Sequence, residues 1–400
     1  MIDWKRGGPA VSEPVRLVNV NIFDGESVSE HNAIAFDETG ITALGEHCVS
    51  SEGAIDAGGG WLVPGLIDAH VHLELDPEIT TPPALEAPRD LGAMAARAKR
   101  MVEAGITTAR DLGGGAWAEI EIRDRILAGD IPGPRFLCAG QPVTSVGGHC
   151  HFWGGEAATI DEAKAVLQRQ RDRGVDLLKV MATGGRFTPK SSPKDAQFDL
   201  NFMTDLIAAA KAHGLTVAAH CHGSDGIRNA TFAGITTIEH CSWVGEDGKW
   251  ASGFQSDVVS EMVRRGTWVS PTIHCGWQAR LDSGAGWIGT FREIFGEMKA
   301  LGVKFVASTD AGIPGVFHHE LAKALPVFAQ VVGLSNAEAL TAATANGADA
   351  LGIASVTGRI REGLAADILL VDQNPVDDLA YLQKPAAIWA RGAAVKALLH

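Results

Sequence analysis

The segment DAHVHL sets His70 and His72 two residues apart, so on an extended strand both imidazoles share one face, as a metal ion requires of a ligand pair. Taken alone, such a pair is equally an ordinary set of polar residues at a strand end. Three further segments end in comparable groups: His220 in AAHCHG, His240 in IEHCSW and Asp310 in ASTDAG. Each singly has a plain reading, as a hydrogen-bonded interior histidine or an aspartate capping a turn. Together, four histidines and an aspartate at the same end of four strands converge in the way metal coordination needs. Lys179 stands inside the apolar run DLLKVMATGG, where an unpaired ammonium is costly to bury. Two readings of it stay open. It forms a salt bridge with Asp310 or Glu74, or its amine, kept neutral by burial, has captured CO₂ as a carbamate, an anionic oxygen ligand able to bridge two cations.

A constellation of this kind needs several parallel strands to carry it. Between residues 88 and 320 one phrase recurs: an amphipathic stretch, a glycine, then a β-branched run, as in MVEAGITTARD, QRDRGVDLLKV, AKAHGLTVAAH, TFAGITTIEH, VRRGTWVSPT and MKALGVKFVAS. Gly105, Gly174, Gly214, Gly234, Gly266 and Gly302 sit where a helix ends in a left-handed cap and a strand begins. With the segments around Leu62 to Leu73 and Arg135 to Gly140, eight strands alternate with helices. The predicted fold is α/β, a (β/α)₈ TIM barrel with active residues at the C-terminal strand ends. The flanks carry short alternating strands instead, so residues 1–60 and 357–400 are expected to form one small β-sandwich domain beside a barrel of residues 61–356. Ser335 and Glu338, in SNAEAL, are spaced as a helix capping box.

A chain of 400 residues with 46% hydrophobic content can bury such a core. Its net charge of −14 disfavours nucleic acid and anionic membranes and leaves small molecules as partners; a homo-oligomer stays open. The N-terminal MIDWKRGGPAVSEP has no apolar signal segment and no long apolar run follows it, so a cytoplasmic protein is expected. The six cysteines form no CxxC pair. Five of them, Cys48, Cys150, Cys221, Cys241 and Cys275, adjoin histidines and are read as small packing residues, with Cys221 and Cys241 facing the helices if His220 and His240 face inward.

The set HVHL, LLKVMATGG, AAHCHG, IEH and STDAG, followed by GRIREGLAADILLVD, resembles the metal-dependent amidohydrolase superfamily over nearly the whole chain. The likeness is to the imidazolonepropionase-like branch that carries a carboxylated lysine and includes prolidase-like dipeptidases and related amide hydrolases. That resemblance implies that His70, His72 and Asp310 bind one metal, His220 and His240 a second, and carboxylated Lys179 bridges them. Lys179 argues against imidazolonepropionase activity itself, because those enzymes lack the bridge. Two ions about 3.5–4 Å apart lower the pKa of a shared water from about 15.7 towards 7, and the hydroxide attacks an amide carbonyl. Asp310 would be the catalytic proton carrier. Zinc suits the donors best, with manganese, iron or cobalt open.

Around this centre, His149 and His151 in TSVGGHCHFWGGE, Arg186 in the loop after strand four, and His222 and His274 are candidates for substrate contact, each with a second-layer or surface reading beside it. Arg186 would hold a substrate carboxylate. Trp153, Trp243, Trp250, Trp277 and Trp287 fall in loops after strands three, six and seven and should wall an apolar pocket. The lone tyrosine, Tyr381, lies outside the barrel, which weakens the dipeptidase likeness because several relatives use a tyrosine near the substrate. The expected reaction is hydrolysis of a dipeptide or N-acyl amino acid with a hydrophobic side chain. An aryl amide, carbamate or urea is the alternative, and a non-catalytic scaffold or a dinucleotide oxidoreductase ranks lower, since all six ligands are present and no phosphate loop is.

Overall fold

The computed structural model describes residues 13–45, 52–81, 84, 87–284 and 286–397. Cys48 and the extreme N-terminal segment lie outside them. Eight parallel strands alternate with helices in chain order: β1 (Leu66–Val71), β2 (Ile106–Asp111), β3 (Arg135–Cys138), β4 (Leu177–Met181), β5 (Thr216–Gly223), β6 (Thr237–Val244), β7 (Trp268–Ser270) and β8 (Lys304–Phe305). Strands β1–β3 form one parallel sheet and β4–β8 another. Hydrogen bonds link the two sheets at both seams. Val143 N–H donates to the Lys179 carbonyl (2.9 Å) and Met181 N–H to the Val143 carbonyl (2.8 Å), while Ala69 donates to Ala307 (3.1 Å) and Asp310 to His70 (2.9 Å).

The helices follow from the sequence signals that announced them. All six glycines expected at helix ends have φ between 70° and 98°, a region open to glycine at little cost. Asp90 and Asp199 cap α1 (Leu91–Glu103) and α2 (Leu200–Ala212) by accepting from Ala93 and Phe202, and Ser335 with Glu338 makes the capping box. Helices packed around the strands bury one large apolar layer, which includes Cys221 and Cys241, both fully buried and facing away from the histidines.

The segment expected as a single strand from Leu62 to Leu73 is two. Trp61–Pro64 pairs antiparallel with Ile368–Val371, Leu369 opposite Val63, and so belongs with the chain's C-terminal segment rather than with β1. Gly65 is the crossing point, where a Cβ would come within 2.0 Å of the Thr107 hydroxyl. Trp61–Pro64 and Ile368–Val371 sit in a five-stranded sheet with Asn21–Ile22, Ala387–Ala390 and Ala393–Lys396; Val15–Val18, Ala33–Asp37, Gly40–Leu44 and Ile55–Asp56 form a four-stranded one. The two sheets share an apolar cluster in which Phe36 meets Trp389 edge-on at 5.3 Å. A buried ion pair from Arg135, at the start of β3, to Asp367 (2.8 Å) ties this region to the parallel strands. Among the described residues no helix is long and apolar enough to cross a membrane.

Candidate metal centre and active site

The C-terminal ends of β1, β4, β5 and β6, with the segment after β8, open into one cavity of about 660 Å³. His70 and His72 bring their Nε2 atoms to 3.3 Å from each other and to 3.2 and 3.4 Å from Asp310 Oδ1. Their rear nitrogens are engaged: His70 Nδ1 meets Glu239 Oε2 (3.0 Å) and His72 Nδ1 donates to the Gly113 carbonyl (2.9 Å). Both rings therefore present Nε2 to one point, the second-layer arrangement that orients imidazole ligands. Asp310 is aimed there by its backbone N–H on the His70 carbonyl and by Asp68, which accepts from the Thr309 N–H (3.1 Å) and hydroxyl (2.6 Å).

A second group lies beside the first. His220, His222 and His240 offer nitrogens within 4.8 Å of one another, and their ring centroids are 4.4–4.5 Å apart. His240 Nδ1 is held by the Thr272 hydroxyl (2.8 Å), which leaves Nε2; His220 Nε2 meets the Gly184 carbonyl (3.2 Å), which leaves Nδ1. His240 and Asp310 both have left-handed backbones, φ 66° and 61°. Strain of that kind at two converging side chains marks a site where position outranks local comfort.

Lys179 is fully buried on β4 and lines the same cavity. No carboxylate of the described residues forms an ion pair with it, and Glu74 is instead engaged by Arg89 (2.9 Å) and the Trp153 indole (3.1 Å). Burial pulls the Lys179 amine down to about 8, against the attraction of Glu239 and Asp310. Burial likewise holds His220 and His240 neutral, their pKa values well below the usual histidine range. Burial alone would raise Asp310, yet the adjoining imidazoles, His70 first, keep its carboxyl well below the ordinary carboxylate range. Each group gathers its imidazole nitrogens, with the Asp310 carboxylate in the first, so that the ligand atoms lie within 4.8 Å of one another. Divalent cations satisfy such a donor set, so the residues fit metal.

A profile described as the Amidohydrolase family matches residues 61–395. The chain belongs to the amidohydrolase family. It is a hydrolase acting on carbon–nitrogen bonds, in a family that generally uses divalent metals. The sequence is 28% identical over 376 residues to ochratoxinase of Aspergillus niger, covering 84% of this chain and 75% of that one. Its structure is similar to that of a putative prolidase from Bifidobacterium longum (26% identity, TM-score 0.78, 96% of this chain and 95% of that one). It also shares the fold of a Xaa-Pro dipeptidase with methionine bound in its active site (24% identity, TM-score 0.83, 96% and 100% covered).

Of the residues singled out in this amidohydrolase as substrate contacts, His149, Arg186, His222 and His274 line the cavity. His151 does not: its Nδ1 turns back to the Gly148 carbonyl (3.0 Å) and its ring packs on Phe152. His149 Nδ1 is tied to the Thr188 hydroxyl (3.1 Å), and burial lowers it to about 4, so it faces the cavity as a neutral ring. Trp153, Trp250, Trp277 and Trp287 form part of the wall, but Trp243 is fully buried against Met298 in the core. Sequence reasoning missed Glu239 and Arg110, a fully buried pair at 2.7 Å that sits beneath His70. Removing either partner would strand a buried charge, at about 3–5 kcal/mol. The signal was there, since both are charged residues within apolar strands. Arg280, which also lines the cavity, was missed on a short helix no periodicity announced.

Proposed function

We propose that this amidohydrolase is a binuclear enzyme that cleaves the amide bond of a dipeptide or an N-acyl amino acid with a hydrophobic side chain. The observation that carries the proposal is the pair of converging ligand groups with Lys179 buried in the same cavity and no carboxylate ion-paired with it among the described residues. His70, His72 and Asp310 would hold one ion, His220 and His240 the other, and Lys179 as a carbamate would bridge them. A buried amine with a lowered pKa suits that step: its nitrogen lone pair attacks CO₂, one proton leaves, and an anionic oxygen ligand results. Zinc fits the nitrogen donors. Divalent ions held there would supply Lewis acidity towards water and the substrate carbonyl.

The chain's own residues do the rest. Asp310 takes the proton from the attacking water and returns it to the leaving nitrogen. His149, a neutral ring facing the cavity, donates to the carbonyl oxygen as charge builds there. Arg186 has no carboxylate partner among the described residues; its guanidinium lies 4.9 Å over the Trp250 ring, where it suits a substrate carboxylate. The scaffold we read is a closed (β/α)₈ barrel, supported by the hydrogen bonds at both seams. The described parts of residues 1–60 and 357–400 complete a small β-sandwich with Trp61–Pro64, moving the barrel's start to about Leu66. A cytoplasmic setting suits five free cysteines.

The aromatic wall favours a second reading, hydrolysis of an aryl amide, carbamate or urea. A panel of N-acyl amino acids, dipeptides and aryl carbamates separates the two. Turnover of N-acyl amino acids with large apolar side chains, abolished by a chelator and restored by zinc, manganese or cobalt, is expected. Turnover of aryl carbamates alone, undiminished in Arg186→Ala, would select the second reading instead.

A further inference from the structure

We propose that Arg280 is a specificity-determining residue: with Arg186 it grips one free carboxylate on the amine half of the substrate. The protein then releases a C-terminal α-amino acid with a large apolar side chain and rejects amides whose carboxyl end is extended. This rests on the amide-hydrolase reading above and adds the residue and the half of the substrate that set selectivity.

Arg280 comes from α3 (Gln278–Asp282) after β7, and Arg186 from the loop after β4, yet both line the same cavity. Each guanidinium is laid over indole rings: Arg186 on Trp250 at 4.9 Å, Arg280 on Trp277 at 4.8 Å and on Trp287 at 5.7 Å. Stacking of this kind fixes the guanidinium plane and leaves its N–H edge available. Neither is ion-paired with a carboxylate of the described residues, whereas Arg110 and Arg135 meet Glu239 and Asp367 at 2.7 and 2.8 Å. The one nearby acid on the same short helix, Asp282, is engaged by Gln278 (2.8 Å). In a chain of net charge −14, two cations lining one cavity without a counterion among the described residues are a recognition element for an anion. Burial and the Arg186 charge both pull Arg280 below its ordinary range, so the two cations feel each other and an anion between them relieves both. A planar carboxylate has two oxygens and matches two forks. Trp277, Trp287 and Phe291, 5.7–5.8 Å apart edge to face, stand beside Arg280 and give the adjoining side chain an apolar wall. An extended substrate would have a neutral amide where the two guanidinium groups require an anion, leaving both unpaired.

The test compares N-benzoyl-phenylalanine with N-benzoyl-phenethylamine, the same amide lacking the carboxylate, on metal-loaded enzyme. Arg280→Ala and Arg186→Ala should each lower kcat/KM for the acid by roughly 10- to 100-fold, chiefly through KM. The carboxylate-free amide should change by less than about threefold, and the double variant should fall little below the worse single one, because both arms serve one group. Arg280→Lys should restore little, since an ammonium lacks the fork. Equal losses on both substrates would reduce Arg280 to a packing residue, and multiplying losses would assign the arms to different groups; either overturns the proposal. Calorimetry with 3-phenylpropanoate decides the point without turnover. Binding lost in both single variants supports the shared grip, and binding retained in Arg280→Ala refutes it, even if the wild type were to cleave neither amide and so refute the amide reading itself.

Discussion

Lys179→Ala is expected to lose activity by about 10²–10³-fold or more, the scale of removing a group that stabilises developing charge, and to bind less metal than the wild type. The reason is electrostatic. On the proposed binuclear reading, loss of the carbamate would leave two cations, one held by His70, His72 and Asp310 and the other by His220 and His240, with no bridging anion, so the second would be lost. Short carboxylic acids should restore part of both activity and metal content by entering the vacated space, while amines of similar size should not. The competing account, a structural lysine, makes the opposite forecast. Lys179 has no ion pair among the described residues, so Lys179→Met, which keeps the volume, should not show the about 3–5 kcal/mol penalty of breaking a buried pair. A large drop in thermal stability with metal content unchanged would favour the structural lysine.

Asp310→Asn is expected to reduce kcat by about 10²–10⁴-fold, the usual worth of a positioned proton carrier, with weaker metal binding in addition. Asparagine keeps the shape of the side chain, and the hydrogen bonds that aim the segment run from the Asp310 backbone and from Thr309 to Asp68, so the fold should persist. What disappears is the negative oxygen lying 3.2 and 3.4 Å from His70 and His72. Activity within tenfold of wild type, with circular dichroism unchanged, would remove Asp310 from the mechanism.

The parts of this site legible in the sequence are those governed by local rules. Glycine-capped helix ends, the Ser335 capping box and apolar strand runs are short-range signals, and the residues that close each strand followed from them. His70, His72, His220, His240 and Asp310 were singled out at strand ends and Lys179 as a charge inside an apolar strand, and the structure brings all six to one cavity. Features set by long-range approach stayed hidden. Gly65 divides one apolar run into strands of two different sheets because Thr107 crowds it from β2, and nothing local in WLVPGLIDAH announces that. Glu239 and Arg110 needed the approach of β2 to β6, which belong to different sheets, to be recognised as partners. Trp243 was expected at the rim because its loop seemed to begin at His240; β6 instead runs on to Val244, and the indole turns into the helix layer. His151 was grouped with His149 because both stand in TSVGGHCHFWGGE, but its ring turns back to the Gly148 carbonyl, which nothing in that segment announces.

The central claim is that two ions act together in amide cleavage. Metal-free protein titrated with zinc, with hydrolysis of N-benzoyl-phenylalanine followed at each addition, tests it most directly. Activity should rise to a plateau at two equivalents per chain, with little gained from the first ion alone. A plateau at one equivalent, unchanged by the second, would contradict the binuclear account and leave Lys179 without a bridging role.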